Sequence, residues 1–325
     1  MEKRNLAVIY GGDSSEWEIS VQSGKFVASS IDRSKYDVYE ILQRGPSWKL
    51  QLEGNETEVD KSDFSVLVDG RKVKFDLAFI MIHGTPGENG LMQAYFEMLR
   101  IPFNTCSSFV SAVTFDKHSC KTYLSDCDID MADSVLINRG DEYDAASICE
   151  RLHLPLFVKP TDGGSSFGVT KVKSVEDFNQ AVEDAFKEGK RVMAESFIAG
   201  REFSNGVYRE DGRIHVLPVT EIVPHSEFFD YDAKYLGKSD EICPAPIEDE
   251  LKDRIQAKTE LIYKYLGCDG LVRIDYIVTK SGDIFFLEMN TVPGMTAMSI
   301  VPKQVRTEGM DITAFFNTLI DNIGR

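Results

Sequence analysis

Two carboxylates and an amide near the C-terminal end of this 325-residue chain are spaced for cation chemistry. They lie in residues 270–294, where two β-rich runs flank Ser281 and Gly282. A two-residue loop containing glycine is a strong hairpin signal. With that loop, Asp275 sits opposite Glu288 and Arg273 opposite Asn290. Side chains alternate along a strand, so all four share a face. Directly opposed residues bring their Cβ atoms to about 4.5–5.5 Å. Two carboxylates that close repel unless a cation lies between them, and carboxylate and amide oxygens suit a hard ion such as Mg²⁺. Leu271, Ile277 and Phe286 fall on the same alternation, so the face is partly apolar and its polar centre asks for a reason.

Other chemistry-bearing residues stand at the ends of apolar runs. Lys159 closes the run 156–158, and residues 161–168 (Thr-Asp-Gly-Gly-Ser-Ser-Phe-Gly) follow. Loops of this composition offer backbone N–H groups to phosphate oxygens. The GxxxxGK[ST] spacing is absent, and residues 169–172 read as a returning strand, so the loop reads as a flap between antiparallel strands. His83 follows the apolar run 75–82, at a strand C-terminus, where ligands gather in open α/β sheets. Glu16 stands at the mouth of the glycine loop after the first strand, where it could equally complement a helix dipole. Lys117, taken alone, reads as an ordinary exposed lysine.

The elements that must position these residues follow from periodicity. Residues 6–10 form a strand, and Ser14 or Ser15 caps a helix running through Ile19 and Phe26. Residues 36–42 form a second strand, 48–71 read as polar, strand-poor edge structure, and 75–82 as a buried parallel strand. Leu91, Met92, Tyr95, Phe96 and Leu99 mark one face of a helix, and the first domain closes near residue 105. A helix then carries Phe115, Asp116, Lys117 and His118. Ser174 opens a capping-box-like start, followed by a helix ended by Gly189. Residues 191–198 form a strand, and Asp211-Gly212 turns a hairpin. Residues 224–246 have little period but many aromatics, which suits an ordered lid. A helix through Leu251, Ile255 and Ile262 stops at Gly267, and a helix closes the chain.

Composition narrows the class. The length suits two or three domains. A net charge of −17 argues against a duplex nucleic-acid binder and means that an anionic substrate needs locally placed cations. No apolar run approaches the ~20 residues of a membrane span. The first residues enter a strand pattern with no signal-peptide character. The six cysteines form no CxxC and no Cys/His cluster, which points to reduced thiols in a cytoplasmic protein.

Taken together, the segments 11–16, 82–84, 116–117, 158–160, 164–168, 230–235, 273–275 and 287–296 resemble the ATP-grasp ligases, and within them the D-alanine–D-alanine ligases. They fall in the family's order over nearly the whole chain. Small departures are Ile300, where leucine is common, and Phe167, where an aliphatic residue is often seen. The resemblance implies an α/β fold: a Rossmann-like N-terminal domain (1–105), then a two-part ATP-grasp fold with a central (106–198) and a C-terminal half (199–325). It implies ATP as a substrate, touched by Lys117, Lys159, Glu195, Ser196, Phe197, Ile198, Glu202, Phe228, Lys234 and Phe286. Asp275, Glu288 and Asn290 would hold two Mg²⁺ or Mn²⁺ ions. Glu16, Ser165 and Tyr235 would form a hydrogen-bonded set at the first D-alanine, and Arg273 and the Gly294 N–H would stabilise an oxyanion. Ser299 and Ile300 would receive the second carboxylate, and His83 would line the substrate site. The partners implied are D-alanine and ATP, a homodimer, no nucleic acid and no membrane. The implied reaction is ATP-dependent joining of two D-alanines through an acyl phosphate, for a peptidoglycan precursor. Alternatives are an ATP-grasp carboxylate–amine ligase making another dipeptide, and a non-catalytic nucleotide binder. A dinucleotide oxidoreductase rests only on the first strand and glycines, and lacks GxGxxG.

Overall fold

The computed structural model describes residues 3–164, 167–224 and 239–324. Its first sheet has five strands, in the order Asn55–Glu58, Ser47–Leu52, Tyr36–Arg44, Arg4–Gly11, Leu77–Met81. Arg4–Gly11 pairs in parallel with both neighbours, the arrangement expected of a Rossmann-like opening. Its residues are apolar without alternation because both faces are covered. Leu6, Val8 and Tyr10 pack with Phe315, Phe316 and Ile320 of the C-terminal helix, and Ala7 and Ile9 face Phe64, Met92 and Phe96. The core beneath the first sheet is thus completed by the last 30 or so residues of the chain (Val292 to Ile323).

A four-stranded antiparallel sheet follows, in the order Thr170–Val172, Leu156–Pro160, Arg191–Ser196, Ser134–Asn138. It places the glycine flap between Leu156–Pro160 and Thr170–Val172, as the sequence suggests. A further sheet carries Ser239–Ile242, Thr220–Pro224, Arg201–Glu210, Val272–Val278, Ile284–Asn290 and Asp130–Met131 in that order, with Arg213–Val216 paired to Arg201–Glu210.

Several expectations need correction. Residues 48–71 are not strand-poor: Ser47–Leu52, Asn55–Glu58 and Ser65–Val68 are strands, the last paired with Arg71–Lys74. Trp48, Leu50 and Leu52 do alternate with polar residues in Ser47–Leu52, but Asn55–Glu58 is mostly exposed and Ser65–Val68 is only four residues long, so the region reads as weakly patterned. Ser14 and Ser15 do not cap the first helix, Trp17–Ser30; Glu16 is its N-cap residue. The Ser14 hydroxyl donates to the His83 carbonyl and accepts from the Glu16 N–H, fixing the loop instead. The helix through Phe115 and His118 is two helices, Ser108–Phe115 and Lys117–Tyr123, because Asp116 takes an extended conformation and its carboxylate accepts from the Ser119 N–H. Ser174 donates to Asp177 and caps no N–H. Part of the 224–246 stretch is a strand, Ser239–Ile242. The chain closes with two helices, Ile300–Thr307 and Ile312–Asp321.

The acid hairpin shows two deviations that cancel. Thr279 pairs with Asp283 through its N–H, so the loop is Lys280-Ser281-Gly282 and not two residues. A bulge then leaves Leu287 unpaired, with Tyr276 opposite Phe286 but Asp275 opposite Glu288. The bulge restores the expected polar pairs, Asp275–Glu288 and Arg273–Asn290. It also shifts the alternation, so Phe286 packs with Ile284 and Met289 in the core and leaves the row of the polar four, while still reaching the cleft wall.

The hairpin is seated by Gly270, which has φ +65° and would carry a Cβ 1.8 Å from the Asn104 carbonyl oxygen. Left-handed backbone costs an L-residue about 1–2 kcal/mol before any clash. Gly270→Ala is therefore expected to lower unfolding stability by more than ~2 kcal/mol. Gly54→Ala, at φ +76° with open space around it, should cost only the backbone share. Equal denaturation midpoints for the two variants would show that the approach to Asn104 carries no weight.

Candidate active site

A cleft of about 710 Å³ opens where the three sheets meet. That is large enough for a nucleotide with a small second ligand. Its lining includes Glu16, His83, Lys117, Lys159, Glu195, Ser196, Phe197, Ile198, Glu202, Arg273, Phe286, Glu288, Asn290, Gly294, Ser299 and Ile300. The structure thus gathers residues separated by up to 284 positions (Glu16 to Ile300) into one cavity. Ser165, Phe228, Lys234 and Tyr235 lie outside the described residues. Asp275 does not line the cavity; it is 3 % exposed, behind Arg273.

At one end, Glu16 stands against the glycine flap, where a Cβ on Gly164 would come within 2.4 Å of its carboxylate. Only a glycine lets the flap approach this closely. His83 is buried beside it, with both ring nitrogens engaged by protein groups. Nδ1–H donates to the Val292 carbonyl at 2.7 Å, and Nε2 lies 3.2 Å from the Ser23 hydroxyl. Burial holds its pKa below the ordinary value, so the ring is neutral and Nε2 accepts from Ser23. Ser23 in turn accepts from the Met295 N–H. His83 therefore clamps the first helix to the segment after the acid hairpin.

Glu88 completes this end and escaped the sequence reading. Its two oxygens accept from the Gly84 N–H at 2.6 Å and the Val292 N–H at 3.1 Å. It sits in residues 83–90, a loop without period, so no pattern distinguished it from a surface glutamate. Burial, and then the nearby Glu16 carboxylate, push its pKa up to about 8 despite the two N–H donors.

In the centre, Arg273 holds Asp275 through Nε (3.0 Å) and Nη2 (2.8 Å). Ser204, on the neighbouring strand, donates to the same carboxylate at 2.6 Å, and Asn290 approaches it at 3.4 Å through Nδ2. Lys117 Nζ lies 3.6 Å from Glu288 and donates to the Gly163 carbonyl, so it ties the hairpin to the flap. Two carboxylates and an amide oxygen are hard donors that fit a divalent cation. At present Arg273 and Lys117 supply the compensating charge. Among the described residues no cluster of three or more His, Cys, Asp or Glu side chains is placed to hold a metal, because the third donor here is an amide. Phe285 and Leu287, brought to the wall by the bulge, also line the cleft and were not anticipated.

At the far end, the Glu195 carboxylate is held by Lys159 and by Lys121, each at 2.5 Å. The two ammoniums keep its pKa below the usual range although burial opposes this. Lys121 was missed; it follows Lys117 by one helical turn, but a lysine there carries no signal by itself. At the opposite wall Ser299 accepts from the Thr296 N–H and begins the helix Ile300–Thr307, whose N-terminus favours an anion.

A carboxyl raised to about 8 keeps its proton in the fold. Its stabilising share is complete below the ordinary carboxylate range and lost as pH rises through about 8. The parent is expected to lose stability between pH 5 and 8, with a slope of up to ~1.4 kcal/mol per pH unit from this group. Glu88→Gln should flatten that slope, whatever its effect on absolute stability. Urea midpoints across this range test it; parallel profiles for parent and variant would remove Glu88 from the account.

Known proteins resemble this chain in sequence and in overall fold. Residues 5–106 match the family model described as D-ala D-ala ligase N-terminus, and residues 124–321 match D-ala D-ala ligase C-terminus. A protein of Bacteroides fragilis named D-alanine--D-alanine ligase is 46 % identical over 321 residues, covering 98 % of this chain and 99 % of that one. One of the same name from Porphyromonas gingivalis is 44 % identical, covering 98 % of each. Among solved structures, the VanG D-Ala:D-Ser ligase of Enterococcus faecalis superposes with a TM-score of 0.89 at 35 % identity, covering 98 % of this chain and 99 % of that one. D-alanyl-alanine synthetase A of Vibrio cholerae also reaches 0.89, at 26 % identity, covering 99 % of this chain and 98 % of that one. A chain that matches both halves of the family model in order, and its relatives over their full length, is a member of the D-alanine–D-alanine ligase family.

Proposed function

We propose that the protein joins two D-alanine molecules, consuming ATP and releasing ADP and phosphate, to make D-alanyl-D-alanine for peptidoglycan synthesis. The observation that carries this is the order of charges along one cleft: Glu16 at one end, Arg273, Lys117 and Glu288 in the centre, Lys159 at the other. That order suits an amino acid whose ammonium meets Glu16 and whose carboxylate meets the γ-phosphoryl group of a nucleotide between Lys117 and Lys159. A carboxylate is a poor acylating agent, and its phosphorylation gives an acyl phosphate that an amine can attack. Arg273 and the Gly294 N–H would stabilise the oxyanion that forms. The N-terminus of the helix Ile300–Thr307, with Ser299 and Ile300, would seat the second carboxylate. The flap at Gly164, with Ser165 and Tyr235, would exclude water from the acyl phosphate. Glu202, the 195–198 strand end and Phe286 would form the nucleoside wall, with Phe228 and Lys234.

Seven glutamates but four lysines and arginines line the cleft among the described residues, so a triphosphate needs further positive charge. Two Mg²⁺ or Mn²⁺ ions on Asp275, Glu288 and Asn290 would supply it, by neutralising charge on the transferring phosphoryl group. Asp275 would serve with a lone pair not taken by Arg273, which now donates to both of its oxygens. We also propose the division at about residues 105 and 198, a cytoplasmic location and a homodimer. No described helix is long and apolar enough to cross a membrane.

A second reading keeps the reaction and changes the nucleophile. The VanG structure is named for D-Ala:D-Ser ligation and is more identical to this chain than the V. cholerae D-alanyl-alanine synthetase structure is. D-serine as second substrate is therefore the alternative to exclude. Mass spectrometry of products formed from ATP, Mg²⁺ and a panel of D- and L-amino acids separates the two. The expected product is D-alanyl-D-alanine; a dominant mixed dipeptide would overturn the assignment. Glu288→Gln keeps shape but removes a charge, so turnover at ordinary Mg²⁺ should fall ~100-fold or more with the fold intact. Activity within a few-fold of the parent would mean that Glu288 holds no metal.

A further inference from the structure

Lys121 stands outside the cleft lining, yet it shares a buried carboxylate with a lysine that lies in it. Lys121 and Lys159 each approach one oxygen of Glu195 at 2.5 Å, and their side chains are only 8 % and 10 % exposed. Lys121 also donates to the Ala132 carbonyl, which fixes its position. Neither ammonium has another carboxylate within ion-pair distance among the described residues. Two cations on one anion leave the triad one positive charge in excess. Burying an unbalanced charge is costly. Glu195 is the one carboxylate within ion-pair distance of either lysine among the described residues, so the excess is left for an incoming anion to balance.

We propose that Lys121 is a positioning residue for nucleotide polyphosphate: it satisfies Glu195 so that Lys159 keeps its charge for an incoming phosphate. This rests on the reading of Lys159 as a phosphate contact. Without Lys121, Lys159 and Glu195 form a neutral pair. A phosphate would then have to pull Lys159 away from a carboxylate with no other partner. With Lys121 in place, Glu195 remains paired when Lys159 turns. The triad and one phosphate charge together come to zero. Lys121 thus acts through Glu195 and never touches the nucleotide.

The charge count is testable because a second substitution restores it. Lys121→Met takes the triad from +1 to 0, and Lys121→Met with Glu195→Gln returns it to +1. A unit charge several ångströms away at an effective dielectric of about 20 amounts to roughly 10- to 100-fold in affinity. We expect Lys121→Met to weaken ATP and ADP binding by that factor. Binding of adenosine, which has no phosphate, and the KM for D-alanine should change less than about threefold. Lys121→Arg should stay near the parent. The double variant should recover most of the parent's ratio of ATP to adenosine affinity, a ratio that cancels any effect of Glu195→Gln on the nucleoside wall. A merely structural lysine would move adenosine and ATP together, and the double variant would be no better than the single one; either result overturns the proposal. Should Lys121→Met fail to fold, the double variant decides alone: a ratio of ATP to adenosine affinity near the parent's supports the charge count, and a ratio lowered tenfold or more overturns it. A parent that binds no ATP would instead refute the assigned reaction, whatever the variants do.

Discussion

A carboxylate taken out of water must find a cation or several N–H donors, or else give up its charge, and that constraint organises the cleft. Asp275 is wrapped by Arg273, Ser204 and Asn290. Glu195 is bracketed by two lysines. Glu88, with only two backbone N–H donors and Glu16 nearby, is the one pushed toward its neutral form. Each solution recruits a partner from a different part of the chain. The acids of the cleft therefore hold its walls together as well as line it.

The same logic explains why the N-terminal sheet and the C-terminal hairpin form one site. His83 and Glu88 both end on Val292, one through its carbonyl and the other through its N–H. Ser23 reaches Met295. Gly270 lies against Asn104. Beneath these polar ties, the apolar face of the first strand is closed by Phe315, Phe316 and Ile320. The polar contacts set the register of the parts; the apolar contacts supply most of the favourable free energy. Loops that carry the substrate end of the site are thus held by a core to which both chain ends contribute.

Family membership and chemistry were legible early because they depend on residue types in a fixed order along the chain. The opening strand, the flap between antiparallel strands and the Asp211-Gly212 turn were legible for a local reason: backbone periodicity and left-handed turn residues act over two to five positions. Asp211 and Gly212 do take positive φ, at 47° and 78°. The strands between residues 47 and 74 were missed for a different reason: Asn55–Glu58 and Arg71–Lys74 are four-residue strands with mostly exposed polar residues, too short to show a period, and the alternation of Trp48, Leu50 and Leu52 covers one strand only.

The hairpin shows where local reasoning stops. The sequence by itself determined a hairpin around Ser281 and Gly282 that carries Arg273, Asp275, Glu288 and Asn290, and its two-residue loop reached the observed polar pairs only because a bulge offsets the extra loop residue. Only the tertiary structure decided that a three-residue loop and a bulge at Leu287 together produce those pairs, and that Phe286 turns to the core. A bulge is chosen by what packs on each face of the sheet, and that information lies in other strands and helices. The same holds for the break at Asp116, for Glu88 and for Lys121 on Glu195, 74 positions away. A short motif states which groups are present. Which carboxylate meets which cation is a property of distance in the folded chain, and burial makes that pairing compulsory.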